Sequence, residues 1–163
     1  MMDTTTFWKL IEDAKQRSGG DPERQVAVLT DALADLEASD IVAFDARLDQ
    51  FMALSYTREL WAAAYIINGG CSDDCFDYFR GWLIAQGETV FHNALHDPET
   101  LAEVVEPEEA ELEAILYVAQ EAYERKTGQE MSQGARIVWQ LNGELWDEET
   151  KYAMYPKLTA KFG

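Results

Sequence analysis

The stretch from Trp61 to Phe91 constrains the fold more than any other part of this chain. It contains two apolar, aromatic-rich segments with helical spacing, which flank the turn sequence Gly69-Gly70-Cys71-Ser72. Ser72 precedes Asp73 and Asp74, a pattern typical of a helix start, because a hydroxyl caps the first N–H groups and carboxylates interact with the positive end of the helix dipole. The stretch therefore predicts a helical hairpin that organises the core.

The first third of the chain also shows helical periodicity. Apolar residues spaced by three and four predict a first helix that ends at Ser18-Gly19-Gly20, and Asp21-Pro22 predicts the start of a second. The same rhythm runs from residue 40 to residue 68 without Gly or Pro. We favour one long, bent helix there. The alternative is a break at Ser55-Tyr56-Thr57, with Thr57 as the cap of a new helix.

The region after Pro107 gives the clearest single-helix pattern. An unbroken apolar stripe from Leu112 to Tyr123 predicts one continuous helix, and Gly128 is its expected C-terminal stop. Within the central hairpin, Gly81 costs a helix about 1 kcal/mol relative to Ala, so we expect a close contact there that needs a glycine. Arg136–Leu141 is expected to be a short strand or an extended arm.

Together these patterns predict an all-α fold. A chain of 163 residues with 47% hydrophobic residues is about one domain and can bury a single core. We expect a compact single-domain bundle of six to eight helices, with residues 1–128 as the helical core domain. Residues 129–163 are expected to form a less regular C-terminal extension that packs on this core, with a short helix at Asp147–Tyr152.

The charge of the chain restricts its partners. It carries 31 Asp and Glu against 13 Lys and Arg, a formal net charge of −18. A polyanion would repel such a surface, which argues against nucleic acid and anionic membranes as partners. Two interpretations remain: an acidic surface that keeps the protein in solution, or a face that docks a basic partner.

The start of the chain and its apolar runs indicate a location. The sequence MMDTTTFWKL lacks a basic segment followed by an apolar run, so no signal peptide is expected. The longest apolar run, Trp61 to Ile67, is much shorter than a membrane span. Two cysteines four residues apart suit a reducing compartment, and we expect a cytoplasmic protein.

Neither the cysteines nor the histidines form a metal-ligand pattern. Cys71 and Cys75 lack two further ligands at a suitable spacing, and we interpret them as buried, structural residues. His92 and His96 would share one helix face, but no acidic base lies between them as in a zinc-protease motif. The sequence also contains no glycine-rich phosphate loop and no nucleophile motif. We expect no metal, no cofactor and no catalytic residues.

A polar cluster inside the aromatic hairpin is the best candidate site. The candidate binding residues combine this cluster with the nearby rings: Trp61, Tyr65, Asp73, Asp74, Arg80 and Trp82. One interpretation is a small polar pocket that binds a ligand or a basic side chain of a partner. The other is structural: a helix cap together with an ion pair between Asp77 and Arg80, which are three residues apart on a helix.

The same stretch resembles a known family. The opening Phe7-Trp8, the run LWAAAYIINGGCSDDCFDYFRGWLIAQG and the following FHNALHDPETLAEV resemble the bacterial domain-of-unknown-function family 4240. The resemblance covers roughly residues 3 to 128, and the tail WDEETKYAMYPKLTAKF is similar to the ends of actinobacterial members. It implies no activity, cofactor or catalytic residue, and it suits an interaction module better than an enzyme. Six residues match the central run of the family: Asp73, Asp74, Phe76, Phe79, Arg80 and Trp82.

Three functional hypotheses follow. The first is an acidic protein-interaction or regulatory module, of the immunity type in its most concrete form, which binds another, basic protein. The alternative is a small-molecule-binding protein or an enzyme that uses a polar pocket near Asp73, Asp74 and Arg80. The third is a homodimer that buries its aromatic surface.

Overall fold

The all-α prediction is confirmed. The computed structural model describes residues 2–105, 110–132, 139–147 and 149–163. In these ranges eight α-helices have seven residues or more, within the predicted six to eight, and α8 is shorter. The α-helices are α1 (Thr4–Arg17), α2 (Pro22–Ala34), α3 (Ala38–Leu54), α4 (Arg58–Asn68), α5 (Asp73–Ala85), α6 (Glu88–His96), α7 (Val118–Thr127), α8 (Thr150–Met154) and α9 (Pro156–Phe162). Two 3₁₀ helices, Pro98–Glu103 and Glu113–Tyr117, connect them.

The core lies between the N-terminal helices and the central hairpin of α4 and α5. Helix α2 packs on α1 and α7, α3 packs on α7, and α5 contacts α1, α3 and α4. The predicted start and end signals of α1 and α2 are confirmed: α1 ends before Ser18, and Asp21 caps α2, with Pro22 in its first turn. Phenylalanine rings from α1, α3, α5 and α6 are fully buried: Phe7, Phe44, Phe76, Phe79 and Phe91.

The expectation of one long helix from residue 40 to residue 68 is wrong, and the alternative break at Thr57 is correct. The Thr57 hydroxyl accepts a hydrogen bond from the Leu60 N–H at 3.2 Å, which caps α4. At the end of α3, the buried Ser55 hydroxyl donates to the Phe51 carbonyl at 2.8 Å. Between the helices, the chain pairs with Asn142, whose N–H donates to the Tyr56 carbonyl. These local bonds replace the helical hydrogen bonds that a continuous helix would make.

The single helix expected after Pro107 is also wrong in its first half. Glu113–Tyr117 is a 3₁₀ helix, and α7 begins only at Val118. The cause is tertiary, because the Leu112 N–H donates to the Tyr78 carbonyl on α5 at 3.0 Å. The predicted close contact at Gly81 lies in the same place, where an added Cβ would be 2.9 Å from the Leu112 carbonyl oxygen. The expected stop at Gly128 is confirmed, with a left-handed φ of 73°.

The C-terminal residues lie against α4. Half of the segment expected to be a strand, Arg136–Leu141, falls outside the described residues, and the pairing of Thr57 with Asn142 is an isolated bridge. The short helix expected at Asp147–Tyr152 is present as α8, which begins three residues later. Tyr155 and Leu158 are buried, and α9 packs on both α4 and the 3₁₀ helix Pro98–Glu103. No helix within the described ranges is long and apolar enough to cross a membrane.

Candidate binding surface around α5

The turn between α4 and α5 places two acids at the protein surface. Gly69 ends α4 with a left-handed φ of 68°, which favours glycine. The predicted cap is confirmed, since the Ser72 hydroxyl accepts from the Cys75 N–H at 3.2 Å. Asp73 and Asp74 then occupy the first turn of α5, and both side chains are exposed. Their carboxylates lie near the positive end of the helix dipole, which stabilises them.

Arg80, two turns further along α5, is directed into the protein. Its side chain is fully buried and forms an ion pair with Asp77. Its Nη1 donates to the Met52 carbonyl at 2.6 Å, and its Nε donates to the Phe76 carbonyl at 3.3 Å. These bonds give the guanidinium polar partners in the interior, which a buried charge requires.

Three aromatic rings surround the same guanidinium. Its central carbon lies 4.6 Å from the Tyr56 ring centroid, 4.7 Å from that of Phe76 and 4.6 Å from that of Trp139. Trp139 is held in turn by its indole N–H, which donates to the Asp49 carboxylate at 3.0 Å. Such contacts between a desolvated cation and ring faces stabilise the charge. The C-terminal extension therefore supplies part of the surroundings of Arg80.

Burial shifts the titration of both members of the ion pair. Desolvation lowers the pKa of Arg80 from its ordinary value, and the attraction of Asp77 opposes that change. Desolvation also raises the pKa of Asp77, against the attraction of Arg80. Arginine stays protonated in proteins over the accessible pH range, so the pair remains charged at neutral pH. The structure thus brings Arg80 to Asp77 and leaves Asp73 and Asp74 on the outside.

The three aromatic candidates occupy different surroundings. Trp61 stacks on Phe76 with a centroid distance of 4.7 Å, and its indole N–H donates to the Cys71 carbonyl at 2.9 Å. Tyr65 faces the C-terminal extension, where the ammonium of the fully buried Lys151 lies 4.2 Å from its ring centroid.

Trp82 stacks on Phe79 at 5.9 Å and is half-buried. These contacts place Trp61 at the turn, Tyr65 under the extension and Trp82 on the second half of α5.

Residues from the 3₁₀ region extend the acidic surface beyond the two aspartates. We define the acidic face as the exposed and half-buried acids of α5 and of residues 111–113, together with two tyrosines: Asp73, Asp74, Asp77, Glu111, Glu113, Tyr78 and Tyr117. The Tyr117 hydroxyl donates to Glu113 at 3.3 Å. A hydrogen bond to the same carboxylate raises the pKa of Tyr78 to about 12.

Sequence reasoning missed the contribution of residues 111–117 to this surface. The apolar stripe assigned these residues to one continuous helix, and the contact between Leu112 and Tyr78 is not visible in any local pattern. One feature of the sequence did indicate an acidic surface here: Arg80 is the only Lys or Arg between residue 59 and residue 124. Because Arg80 is buried, this part of the chain contributes no cation to the surface.

The thiols and imidazoles show no metal-site geometry. Cys71 and Cys75 are half-buried free thiols, and burial raises the pKa of both, which keeps them protonated at neutral pH. His92 and His96 are exposed. Among the residues whose positions the structure gives, no three His, Cys, Asp or Glu side chains come together as metal ligands would.

Comparison with known proteins supports the resemblance found in the sequence. The chain matches the family model described as "Protein of unknown function (DUF4240)" over residues 2–125. Searches among curated proteins and among solved structures give no match. The matched range contains α1 to α6 and most of α7, and thus the whole acidic face and Arg80, whereas Trp139 and the C-terminal helices lie beyond it. The chain therefore belongs to the DUF4240 family of proteins of unknown function.

Proposed function

We propose that this chain is a cytoplasmic protein-interaction module of the regulatory or immunity type, which binds a basic protein through the acidic face. One observation carries the proposal: the surface built by the first turn of α5 and by residues 111–117 gathers carboxylates, while the cation of this part of the chain, Arg80, is buried. The net charge of −18 adds a long-range field of the same sign. Such fields accelerate encounters with oppositely charged proteins.

The acidic face also has features that suit direct contact. Tyr117 is 52% exposed, and tyrosine is enriched in protein interfaces because its ring offers apolar area and its hydroxyl a hydrogen bond. Glu113 is oriented by the Tyr117 hydroxyl. The close packing of Leu112 on Gly81 fixes this segment against α5. A pre-positioned surface loses less side-chain entropy when it binds.

The sign of the charge selects the partner class. Nucleic acids and anionic membranes would be repelled, because their binding requires lysine and arginine to replace counterions. A basic protein is the partner that the acidic face fits. Its affinity should fall as salt increases, since screening weakens attraction between exposed charges.

The experiment compares two variants with the same change in charge. The chain is immobilised and used to capture proteins, with D73N/D74N/E113Q as the test variant and D35N/E37Q/D40N as the control; all six residues are exposed. The proposal predicts a basic partner that is lost from the test variant, retained by the control and released by salt. Equal loss from both variants, a capture unaffected by salt, or no specific partner would contradict it.

The other hypotheses are tested on the same samples. Arg80 is fully buried, so a pocket formed by Asp73, Asp74 and Arg80 has no exposed cation. A thermal-shift screen with metals and metabolites covers that alternative: stabilisation by several degrees from one compound, abolished in D73N/D74N, would favour it over the interaction module. Light scattering of the purified chain decides whether a homodimer forms.

A further inference from the structure

Residues 150–163 form a basic segment on an otherwise acidic protein. They contain three lysines, Lys151, Lys157 and Lys161, and no Asp or Glu, in a chain with a net charge of −18. They fold into α8 and α9, which have five and seven residues. Isolated helices shorter than about 12–15 residues are marginal in water, so contacts with the rest of the protein hold this basic segment in shape.

Two apolar anchors fix the basic segment to the protein. Helix α9 packs on α4 and on the 3₁₀ helix Pro98–Glu103, and we call the surface that it covers the docking groove. Leu158 is fully buried, and Tyr155 is 6% exposed. Burial raises the pKa of the Tyr155 hydroxyl, and the charges of three nearby acids raise it further: Glu59, Asp97 and Glu99. The docking groove therefore accepts apolar side chains in acidic surroundings.

Polar bonds at both ends of α9 add to these anchors. The Glu99 carboxylate accepts from the two backbone N–H groups of residues 157–158, both at 3.0 Å, and so satisfies the first turn of α9. Near the other end, the Lys161 ammonium donates to the Ala102 carbonyl at 2.8 Å and to the Val105 carbonyl at 2.5 Å. The docking groove thus provides an acceptor for the start of a helix and two acceptors for a lysine.

A second lysine of the basic segment lies against aromatic rings. Lys151 is fully buried, and its ammonium lies 4.2 Å from the ring centroid of Tyr65 and 4.3 Å from that of Tyr152. Ring faces attract such a desolvated cation. Tyr65 belongs to α4, so the rest of the protein recognises two lysines of the basic segment, one through carbonyl oxygens and one through a ring.

The docking groove and the basic segment differ in their relation to the family model. Helix α4 and the 3₁₀ helix Pro98–Glu103 lie within the matched residues 2–125, whereas residues 150–163 lie beyond them. The basic segment therefore covers a surface of the matched domain in the manner of a bound peptide. Its contacts show which kind of peptide that surface fits.

We propose that the docking groove binds a basic, amphipathic segment of another protein, and that residues 150–163 occupy it in cis as a competitor. The partner segment repeats the pattern of the cis segment: an apolar residue in the first turn of a helix, a lysine three residues later and another lysine on the N-terminal side. The apparent affinity is reduced in proportion to the fraction of chains whose groove is open. The docking groove shares no residue with the acidic face, and the inference stands whether or not that face binds a protein.

The test uses the full-length chain and a fluorescently labelled synthetic peptide of residues 150–163. L158D replaces the buried anchor by a charge, and K161A removes the ammonium that bonds to the groove, so both variants loosen the cis segment. In fluorescence anisotropy, the peptide should bind each variant at least about tenfold more tightly than the original chain, whose own segment competes. K161A changes an exposed residue and keeps the test valid if L158D does not fold.

Two controls separate recognition from charge alone. A peptide that carries the L158D change should bind both variant chains at least about tenfold more weakly than the original peptide. In the L158D chain, added E99A should weaken the original peptide at least about tenfold, whereas E103A, with the same change in charge on the same 3₁₀ helix, and the triple variant of the acidic face should leave its affinity unchanged.

Three results would overturn the proposal. The first is the absence of saturable binding to either variant chain at millimolar protein, and the second is equal affinity of the original and the L158D peptides. The third is a dimer of the original chain in light scattering that the L158D change abolishes, because the occupant of the docking groove would then be the basic segment of a second copy.

Discussion

The first turn of α5 exposes its charged side chains to solvent, whereas the turn that contains Arg80 buries its charge. Asp73 and Asp74 point to solvent at the start of the helix, where the dipole stabilises them. Arg80 is fully buried with Asp77 as its ion-pair partner. Loss of the buried Arg80 would destabilise the fold, whereas Asp73 and Asp74 are available to a partner. One helix therefore separates a structural charge from charges that can bind.

Removal of Arg80 should have the largest effect on stability. R80A leaves the Met52 carbonyl without its donor, removes the partner of Asp77 and opens a space between aromatic rings. We expect a loss of about 3–5 kcal/mol in the free energy of unfolding, measured by urea denaturation. R125A is the matched control, because Arg125 pairs with Asp31 at the surface, and should cost at most about 1 kcal/mol. Equal losses in the two variants would show that the buried arginine stabilises the fold no more than the exposed one.

The second-largest loss of stability should follow disruption of the contact between Gly81 and residues 112–115. In G81A the new methyl group would meet the Leu112 carbonyl oxygen at 2.9 Å and the Ile115 Cγ2 at 3.0 Å. We expect a loss of about 1–3 kcal/mol by thermal or urea unfolding, although alanine is the better helix former. A neutral or stabilising result would mean that residues 112–115 move away from α5 without cost, and the acidic face would then not be pre-positioned.

Trp139, which lies beside Arg80 in the C-terminal extension, should contribute less to stability. W139F keeps an aromatic ring near the guanidinium but removes the indole N–H that donates to Asp49. A hydrogen bond to a buried carboxylate is the stronger kind, so we expect a loss of about 1–2 kcal/mol in urea unfolding. W146F, whose indole donates to the neutral Arg58 carbonyl, should cost less. The reverse order would contradict the importance of the Asp49 bond.

A titration tests the geometry of the acidic face itself. The hydrogen bond from Tyr78 to Glu113 raises the tyrosine pKa to about 12, compared with about 10 in a model peptide. Because the folded-state pKa is the higher one, this bond stabilises the fold below pH ~10, and its contribution is lost as the pH rises from about 10 to about 12. E113Q should lower the pKa of Tyr78, as measured by ultraviolet titration of tyrosinate with Y78F as the reference. An unchanged titration curve would show that Glu113 does not contact Tyr78.

The helical hairpin was predictable because its signals are local. Ser72, the aspartates after it and the left-handed Gly69 fix the turn by short-range rules, and the structure follows them. The same holds for Asp21-Pro22 at the start of α2. Gly81 was informative for a different reason: a residue unfavourable within a helix indicated a close neighbour, although not which segment provides it.

The parts that could not be predicted depend on residues distant in sequence. Thr57 marked the correct break, but the continuing apolar rhythm outweighed it, and the bonds between Asn142 and the residues on either side of Thr57 were not visible. Residues 113–117 have helical spacing, yet their contact with α5 makes them a 3₁₀ helix. The surroundings of Arg80 depend on Met52 and Trp139, 28 and 59 residues away, so the sequence left both a pocket and a structural ion pair open.

The free energy of unfolding of D73N/D74N tests most directly whether α5 separates a structural charge, Arg80, from charges that belong to the surface alone. If the two aspartates belong to the surface alone, the double variant should remain within about 1 kcal/mol of the original chain, because it loses a favourable helix-dipole interaction and gains relief from the repulsion of Asp77 and Glu113. The measurement is urea unfolding beside R80A. A loss of about 3 kcal/mol or more, comparable to that of R80A, would contradict the account, because Asp73 and Asp74 would then be part of the same structural unit as Arg80.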